Sequence, residues 1–301
     1  MEDVQKTEFE GKYNQELVRL FIKHFNRSFP EVLWHYTSVA SLREILKSNQ
    51  FWFSPVSALE DNMEVLYARD LTDAVLQAYL DKGDNDDRSQ ILLQTARARL
   101  IKSNADSVWH TASFTEVDDD IAQWDRFGDS KRGISIGFDG KELIKFFSRS
   151  PEDRPFITPV SYDGQNVVNF ISEMIENAIF NFRNDFDWVE DVQLSANTFL
   201  NLLSVDVFSI IPKHPSFQSE REWRFARPLQ TEKEHKELIH INNGYRWPVG
   251  RGEHSDSNSE LLPIKKIRLG PHYDELKSIE RALTAANFPN VEILKSNLSL
   301  K

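Results

Sequence analysis

The chain contains no cysteine. Disulfides, thiolate metal sites and a cysteine nucleophile are therefore excluded, and a reducing compartment suits such a chain. Long apolar runs are missing too: none approaches the ~20 residues a membrane-spanning helix needs. The opening MEDVQKTEFEGKYNQ has neither the basic nor the apolar stretch of a secretory signal. The expectation is a cytoplasmic protein with no membrane partner. Positive charge is scarce. The formal net charge is −11, which repels nucleic acid and anionic membranes at long range. The small basic clusters, Lys131-Arg132 and Lys265-Lys266 with Arg268, read as solvated strand ends. The G-x-G-x-x-G, G-x-x-x-x-G-K-[ST] and G-x-S-x-G fingerprints are absent, so nothing points to a dinucleotide fold, a P-loop or a hydrolase elbow. The eight histidines form no H-E-x-x-H pair, and no metal site is expected.

What is present is a chain of 301 residues, enough for a substantial core, in which helix and strand patterns mix irregularly. Leu17, Phe21 and Phe25 recur at helical spacing and predict a helix over Gln15 to Asn26. VLWHYT and FWFS predict strands on either side of a helix from Val39 to Lys47, where Ser41 and Glu44 have capping-box spacing. Helices are predicted over Asn62 to Leu80 and Gln90 to Ser103. VWHTASFT, RGISIGFD, PFITPVSY, SEREWRFA, IKKIRLG and VEIL predict further strands. DDDIAQWDRFG, GKELIKFF (capped by Asp139 with Glu142) and YDELKSIERALTAA predict helices. GRGEHSDSNSE predicts a loop. Without a regular βα alternation the fold class is α+β, with mixed or antiparallel sheets and helical insertions. We expect one domain over residues 1–301, with residues 165–209 as a helical insertion.

Two stretches carry polar groups where a core strand would not. In SEREWRF, strand alternation puts Glu220, Glu222 and Arg224 on one face and Arg221, Trp223 and Phe225 on the other. Unpaired buried charge is costly, so the first face is either an exposed, internally paired edge or a functional face on a rigid strand. In LWHYTS, Trp34, Tyr36 and Ser38 share one side, and Leu33, His35 and Thr37 the other. The helix that follows presents N–H groups suited to phosphate. In FWFS, Phe51 and Phe53 face one way and Trp52 and Ser54 the other, as core packing or as a stacking wall for a flat ring.

LWHYTSVASLREILKSNQFWFS, EDNMEV, SFTEVDDDIAQWDRFGDSKRGISIGFD, SEREWRF and IKKIRLGP, taken in order, resemble a bacterial family catalogued as a domain of unknown function, family 2971. The chain departs from that family's pattern at Glu60 to Glu64, where Asn-Asp-Pro-x-Glu is usual, and at Phe127, often a tyrosine. More weakly, a strand ending in HYT, an L..IL.. helix and a short following strand resemble the start of the ADP-ribosyltransferase fold. The second resemblance implies NAD as a substrate. It implies that His35 holds the adenosine ribose, supported by Tyr36 and Thr37, and that Trp52, Phe53 or Ser54 contacts the nicotinamide side. It implies a catalytic carboxylate in Glu222 with Glu220 as helper, the order open, and Arg224 holding Glu222 or the pyrophosphate. The acceptor is left open among protein, nucleic acid and water, as is an oligomer. A toxin or antiphage effector is the role such enzymes take. Two alternatives stand beside it: a non-catalytic module that senses a nucleotide or a partner, and a nuclease holding magnesium with Asp61, Glu64, Glu220 and Glu222.

Overall fold

The computed structural model describes residues 15–56, 62–83, 86–102, 109–148, 155–184, 210–228, 239–241, 244–250 and 261–298. In chain order the first elements are α1 (residues 15–25), β1 (Val32–Thr37), α2 (Val39–Ser48), β2 (Gln50–Pro55), α3 (Asn62–Asp81) and α4 (Asp87–Lys102). β3 (Trp109–Thr115), α5 (Ile121–Arg126), β4 (Ile134–Asp139), α6 (Gly140–Phe147), β5 (Phe156–Pro159) and α7 (Gly164–Asn184) follow. A 3-10 helix (Pro215–Glu220) leads into β6 (Glu222–Pro228), β7 (Ile239–Ile241) and β8 (Gly244–Gly250). The last elements are β9 (Ile264–Leu269), α8 (Leu276–Ala285) and β10 (Glu292–Lys295). The class is α+β, as the irregular mixing of patterns predicts.

The chain divides into two compact units. One is drawn from Met1–Arg27, Val56–Ser107 and Pro159–Gln218, the other from Ser28–Pro55, Val108–Thr158 and Ser219–Lys301. The first is helical in its described residues. Leu20 and Phe25 of α1 are buried with Leu76 of α3, Leu92 of α4 and Phe170 of α7. Phe25 packs edge-on against Phe170 at 4.8 Å. Polar links tie the same helices: Arg97 donates to Asp73 at 2.6 Å, and His24 meets Asn166 and Glu173 at 3.1 and 3.2 Å. The stretch expected as a helical insertion is described as α7; residues 185–209 lie outside the described residues.

The second unit is built on a sheet of ten described strands in the order β10-β9-β4-β1-β3-β2-β8-β7, with β6 also on β3 and β5 on β6. β9 and β10 run parallel, whereas the β1–β3, β1–β4, β2–β3, β2–β8 and β3–β6 pairs are antiparallel. One face of the sheet carries the core. Leu33, Phe51, Phe53, Phe114, Ile136, Phe138 and Phe225 pack there with Leu42 and Leu46 of α2, Leu143, Phe146 and Phe147 of α6, and Ile279 and Leu283 of α8. Each helix contributes residues three or four apart, the spacing that gathers apolar groups on one stripe.

Local signals explain most boundaries. Asp139 caps α6, its carboxylate accepting from the Glu142 N–H at 3.0 Å. The cap of α2 differs from the expectation: Ser38, not Ser41, is the N-cap, accepting from the Ser41 N–H at 3.0 Å. Ser38 follows the strand directly and has extended backbone, which is what an N-cap requires; Ser41 already lies inside the helix. At the other end Asn49 takes a left-handed conformation (φ 50°), and its side-chain oxygen accepts from the Leu262 N–H at 2.8 Å. The β7–β8 pair is not among the predicted strands. In the sequence the Asn-Asn-Gly run at 242–244 is a turn signal that would have found it. The loop expected over GRGEHSDSNSE falls, beyond Gly250, outside the described residues.

Candidate functional site

At β3 the sheet divides. Along one edge β3 pairs with β6 throughout, from Trp109↔Pro228 to Thr115↔Glu222. Along the other it meets β2 at one end, Ser54↔Thr111 and Pro55↔His110, and β1 at the other, Trp34↔Thr115. Past those positions both strands leave it. Residues 35–37 of β1 continue against β4, and residues 50–53 of β2 continue against β8. The result is a fork over residues 112–114 of β3, with HYT on one bank, FWF on the other and α2 joining the two.

Register assigns the faces, because directly paired residues project to the same side and neighbours alternate. Leu33, His35 and Thr37 point with Phe51 and Phe53 to the core face. Trp34, Tyr36, Trp52, Ser54, Ser113, Thr115, Glu222 and Arg224 point to the opposite face. Trp34 lies over the backbone of Gly137, where a Cβ would come within 2.9 Å of the indole, so this position of β4 accommodates only glycine without a shift.

Glu222 and Arg224 form a buried pair on the second face. Arg224 Nε donates to Glu222 Oε1 at 2.7 Å and Nη2 to Oε2 at 3.1 Å. Arg224 is 1 % exposed and Glu222 5 %. A two-point arginine–carboxylate contact fixes orientation as well as charge, and removing one partner of a buried pair costs roughly 3–5 kcal/mol. In the structure Arg224 holds Glu222.

Glu220 departs from the expected alternation. β6 begins at Glu222; Glu220 is the last residue of the 3-10 helix, and Arg221 between them has a left-handed backbone (φ 45°). The pleat therefore does not carry Glu220 onto the Glu222 face. A different set of contacts holds it. Its carboxylate, 8 % exposed, pairs with Arg126 at the end of α5. Its carbonyl accepts from Thr115 Oγ1 at 2.6 Å. Beside it Glu116 binds Arg221 Nη2 at 2.6 Å and accepts from Trp223 Nε1 at 2.8 Å.

The residues on the banks have separate surroundings. His35 is half-buried, with its ring edge-on to Phe51 at 4.7 Å and tilted against Phe114 at 5.9 Å. Nδ1 donates to the Ser113 carbonyl at 3.0 Å, which makes Nε2 the acceptor of the neutral ring. Burial pushes the imidazole pKa below its ordinary value, against the opposing pull of the Ser113 carbonyl. Tyr36 is buried and edge-on to Trp124 at 4.6 Å. Its hydroxyl donates to the Val117 carbonyl and accepts from the Asp120 N–H, both at 3.1 Å. Burial and the neighbouring aspartates raise its pKa. Thr37 ends β1 with its carbonyl against Gly133, where a Cβ would lie 2.3 Å away. Trp52 is exposed and Ser54 half-buried. Phe53 is fully buried, edge-on to Phe147 at 5.2 Å. Its burial contributes roughly 2–3 kcal/mol to the fold.

The fork thus brings the HYT and FWF segments to either side of residues 112–114, but their side chains divide between the faces: His35 and Thr37 go to the core face, and Tyr36, Trp52 and Ser54 share the other face with the Glu222–Arg224 pair. Phe53 goes to the core. Arg126, Glu116, Ser113 and Thr115 complete the carboxylate surroundings and were missed by the sequence reading. Their partners lie about a hundred positions away, and no local spacing signals such pairs. The acids expected to favour the start of α5 are each engaged. Asp120 caps the helix through the Ala122 and Gln123 N–H groups, Asp119 accepts from Trp124 Nε1 at 2.8 Å, and Asp118 binds Arg268 at 2.6 Å. Of the other candidate magnesium ligands, Asp61 lies outside the described residues and Glu64 is on α3 with its side chain not described; Glu220 and Glu222 are both held by arginine.

No curated protein and no solved structure matches the chain. Residues 123–225, about a third of the chain, match a family described as "Protein of unknown function (DUF2971)". The matched stretch holds Arg126, Glu220, Glu222 and Arg224 and supports the family resemblance read from the sequence.

Proposed function

We propose that the protein cleaves the nicotinamide–ribose bond of NAD, as an ADP-ribosyltransferase or an NAD hydrolase. The observation that carries this is the fork: polar and aromatic groups on two diverging strands, with a carboxylate held rigidly on the strand beyond the one where they part. Bond cleavage develops oxocarbenium-like charge on the ribose. A carboxylate fixed beforehand stabilises that charge without reorganising, an effect commonly worth ~3–4 kcal/mol. Glu222, oriented by Arg224 at two points, is assigned that part, and Glu220 the helper's. Trp52, on the same face of the sheet as Glu222, offers an exposed ring for a flat base; His35, on the other face, is assigned the ribose by the resemblance to ADP-ribosyltransferases alone. The acceptor is a protein, a nucleic acid or water, and a toxin or antiphage effector is the biological role in keeping with this chemistry.

One observation favours a second reading. Both carboxylates are paired with arginine, which draws off some of the negative charge that catalysis would use. That suits a module that binds a nucleotide or a partner without turnover.

The experiment is incubation of the purified protein with NAD, followed by mass spectrometry. Nicotinamide release is expected, falling ~10²–10³-fold in Glu222→Gln, with circular dichroism showing that the variant is folded. A folded, fully active variant overturns the catalytic assignment. Saturable NAD binding without release supports the binding module. Neither binding nor release overturns NAD as the ligand of the fork.

A further inference from the structure

We propose that His24 is a proton-operated clasp between α1 and α7: the doubly protonated ring holds α1 on the helical unit, and loss of one proton loosens it. The geometry fixes what each ring nitrogen carries. The His24 side chain is only 7 % exposed, so the ring takes its partners from the protein. The backbone carbonyl of His24 accepts from Asn166 Nδ2 at 2.6 Å. A carbonyl cannot donate, so the amide must turn its NH2 group toward it, and the amide oxygen is what faces Nδ1 at 3.1 Å. An amide oxygen only accepts, and Nδ1 therefore carries a proton. Nε2 faces Glu173 Oε1 at 3.2 Å. Lys23 binds both oxygens of that carboxylate at 2.7 Å and holds its pKa below the ordinary value. The carboxylate is thus ionised and only accepts, and Nε2 carries a proton as well.

A neutral imidazole has a single N–H. Whichever nitrogen gives up its proton turns a lone pair toward an oxygen, and a buried acceptor without a donor is unfavourable. The charged groups around the ring leave that requirement in place. Lys23 on α1 and Glu173 on α7 offset each other. Glu16 and Arg19 pair at 2.9 Å further back along α1, and Asp163 is taken up by the Gln165 and Asn166 N–H groups at the start of α7. Two aromatic rings lie beside the imidazole, Phe170 edge-on at 5.8 Å and Phe25 tilted at 6.2 Å. Leu20 and Phe25 are themselves buried, so α1 keeps an apolar anchor without the clasp, and the proton adjusts how firmly the helix is held. The docked state binds one proton more than the loosened state. Docking therefore tightens as pH falls and weakens as pH rises, by at most about tenfold per pH unit for one proton. The tightening ends in acid, where Glu173 itself takes up a proton.

The test is hydrogen exchange of the α1 amides at about pH 5 and about pH 8, the limits between which histidine changes charge, corrected for the intrinsic effect of pH on exchange. Wild type, His24→Gln and Glu173→Gln are compared. In wild type α1 is expected to lose roughly tenfold or more in protection from the lower pH to the higher. α4 of the same unit contains no histidine and is expected to keep its protection. His24→Gln has no ring to titrate, and its α1 protection is expected to be the same at both pH values. In Glu173→Gln the new amide can turn its NH2 group to an unprotonated Nε2, so the neutral ring is satisfied and the pH response is expected to vanish there too. That variant decides the matter if His24→Gln does not fold. Equal protection of α1 at both pH values in wild type overturns the inference. A pH response that α4 shares, or that the folded variants retain, overturns it as well.

Discussion

His35 shows how a single residue can belong to the core and to a site at once. Its ring packs against Phe51 and Phe114, yet its Nδ1–H is satisfied by a strand carbonyl at the point where the sheet opens. Desolvation holds its pKa below the ordinary value, which for a free imidazole is ~6.5. Below that pH the unfolded chain takes up a proton that the folded ring resists, so stability is complete near pH 7.5 and falls on acidification through ~6.5. One such group contributes a slope of at most about 1.4 kcal/mol per pH unit. Urea unfolding at pH 7.5 and 5.5 is expected to show a smaller acid loss in His35→Gln than in wild type; equal losses would mean that the ring is not held neutral by burial. Sequence alone showed that His35 shares a side with Leu33. It did not show the two phenylalanine rings, which arrive from β2 and β3.

At the scale of elements, caps and amphipathic stripes are the legible part, because both depend on residues three or four apart. α6 is the clearest case. Asp139 and Glu142 mark its start in the sequence, and Leu143, Phe146 and Phe147 all enter the core. Lys265 from β9 pairs with Asp139 at 2.7 Å. That contact first, and the Glu142 N–H after it, hold the Asp139 carboxyl below the usual carboxylate range. Asp139→Ala is expected to destabilise the fold by about 0.5–2 kcal/mol. The carboxylate's contribution is present above ~pH 4 and lost as pH falls further. Denaturation midpoints of the two proteins should therefore converge on acidification, and a constant gap from pH 7 to 3 would remove the carboxylate from the account. The E-x-E segment is the illegible counterpart. Alternation predicts one face for Glu220, Glu222 and Arg224, but the left-handed backbone at Arg221 breaks the pleat. That conformation is stabilised by Glu116, a hundred residues earlier, and only Glu222 and Arg224 remain on the strand face.

For the whole molecule, the deciding quantity is charge. Four of the five cations in the basic clusters are paired where they stand: Lys131 with Asp125 at 2.9 Å, Lys265 with Asp139 at 2.7 Å, Lys266 with Glu292 at 3.1 Å and Arg268 with Asp118 at 2.6 Å. With a net charge of −11 and these cations engaged, no basic track remains among them to release counterions from a phosphate backbone. Fluorescence anisotropy with labelled duplex DNA is expected to show no binding that strengthens between 200 and 50 mM salt. Strong, salt-steep binding would favour nucleic acid over protein and water as the acceptor. Among the described residues no helix is long and apolar enough to cross a membrane, in line with the lack of long apolar runs.

The sequence by itself determined the class, most of the helices and strands, the cap of α6 and the alternation of faces along β1 and β2. These follow from periodicity and from side chains acting on backbone groups a few positions away. The fork, the pairing of Arg224 with Glu222 and the pairing of Arg126 with Glu220 were decided only by tertiary structure. Each depends on which strand lies beside β3 and at what register, and on a turn held by residues about a hundred positions apart. Pairing of that kind is selected by the burial and charge balance of the assembled sheet, and no short stretch of the chain contains it.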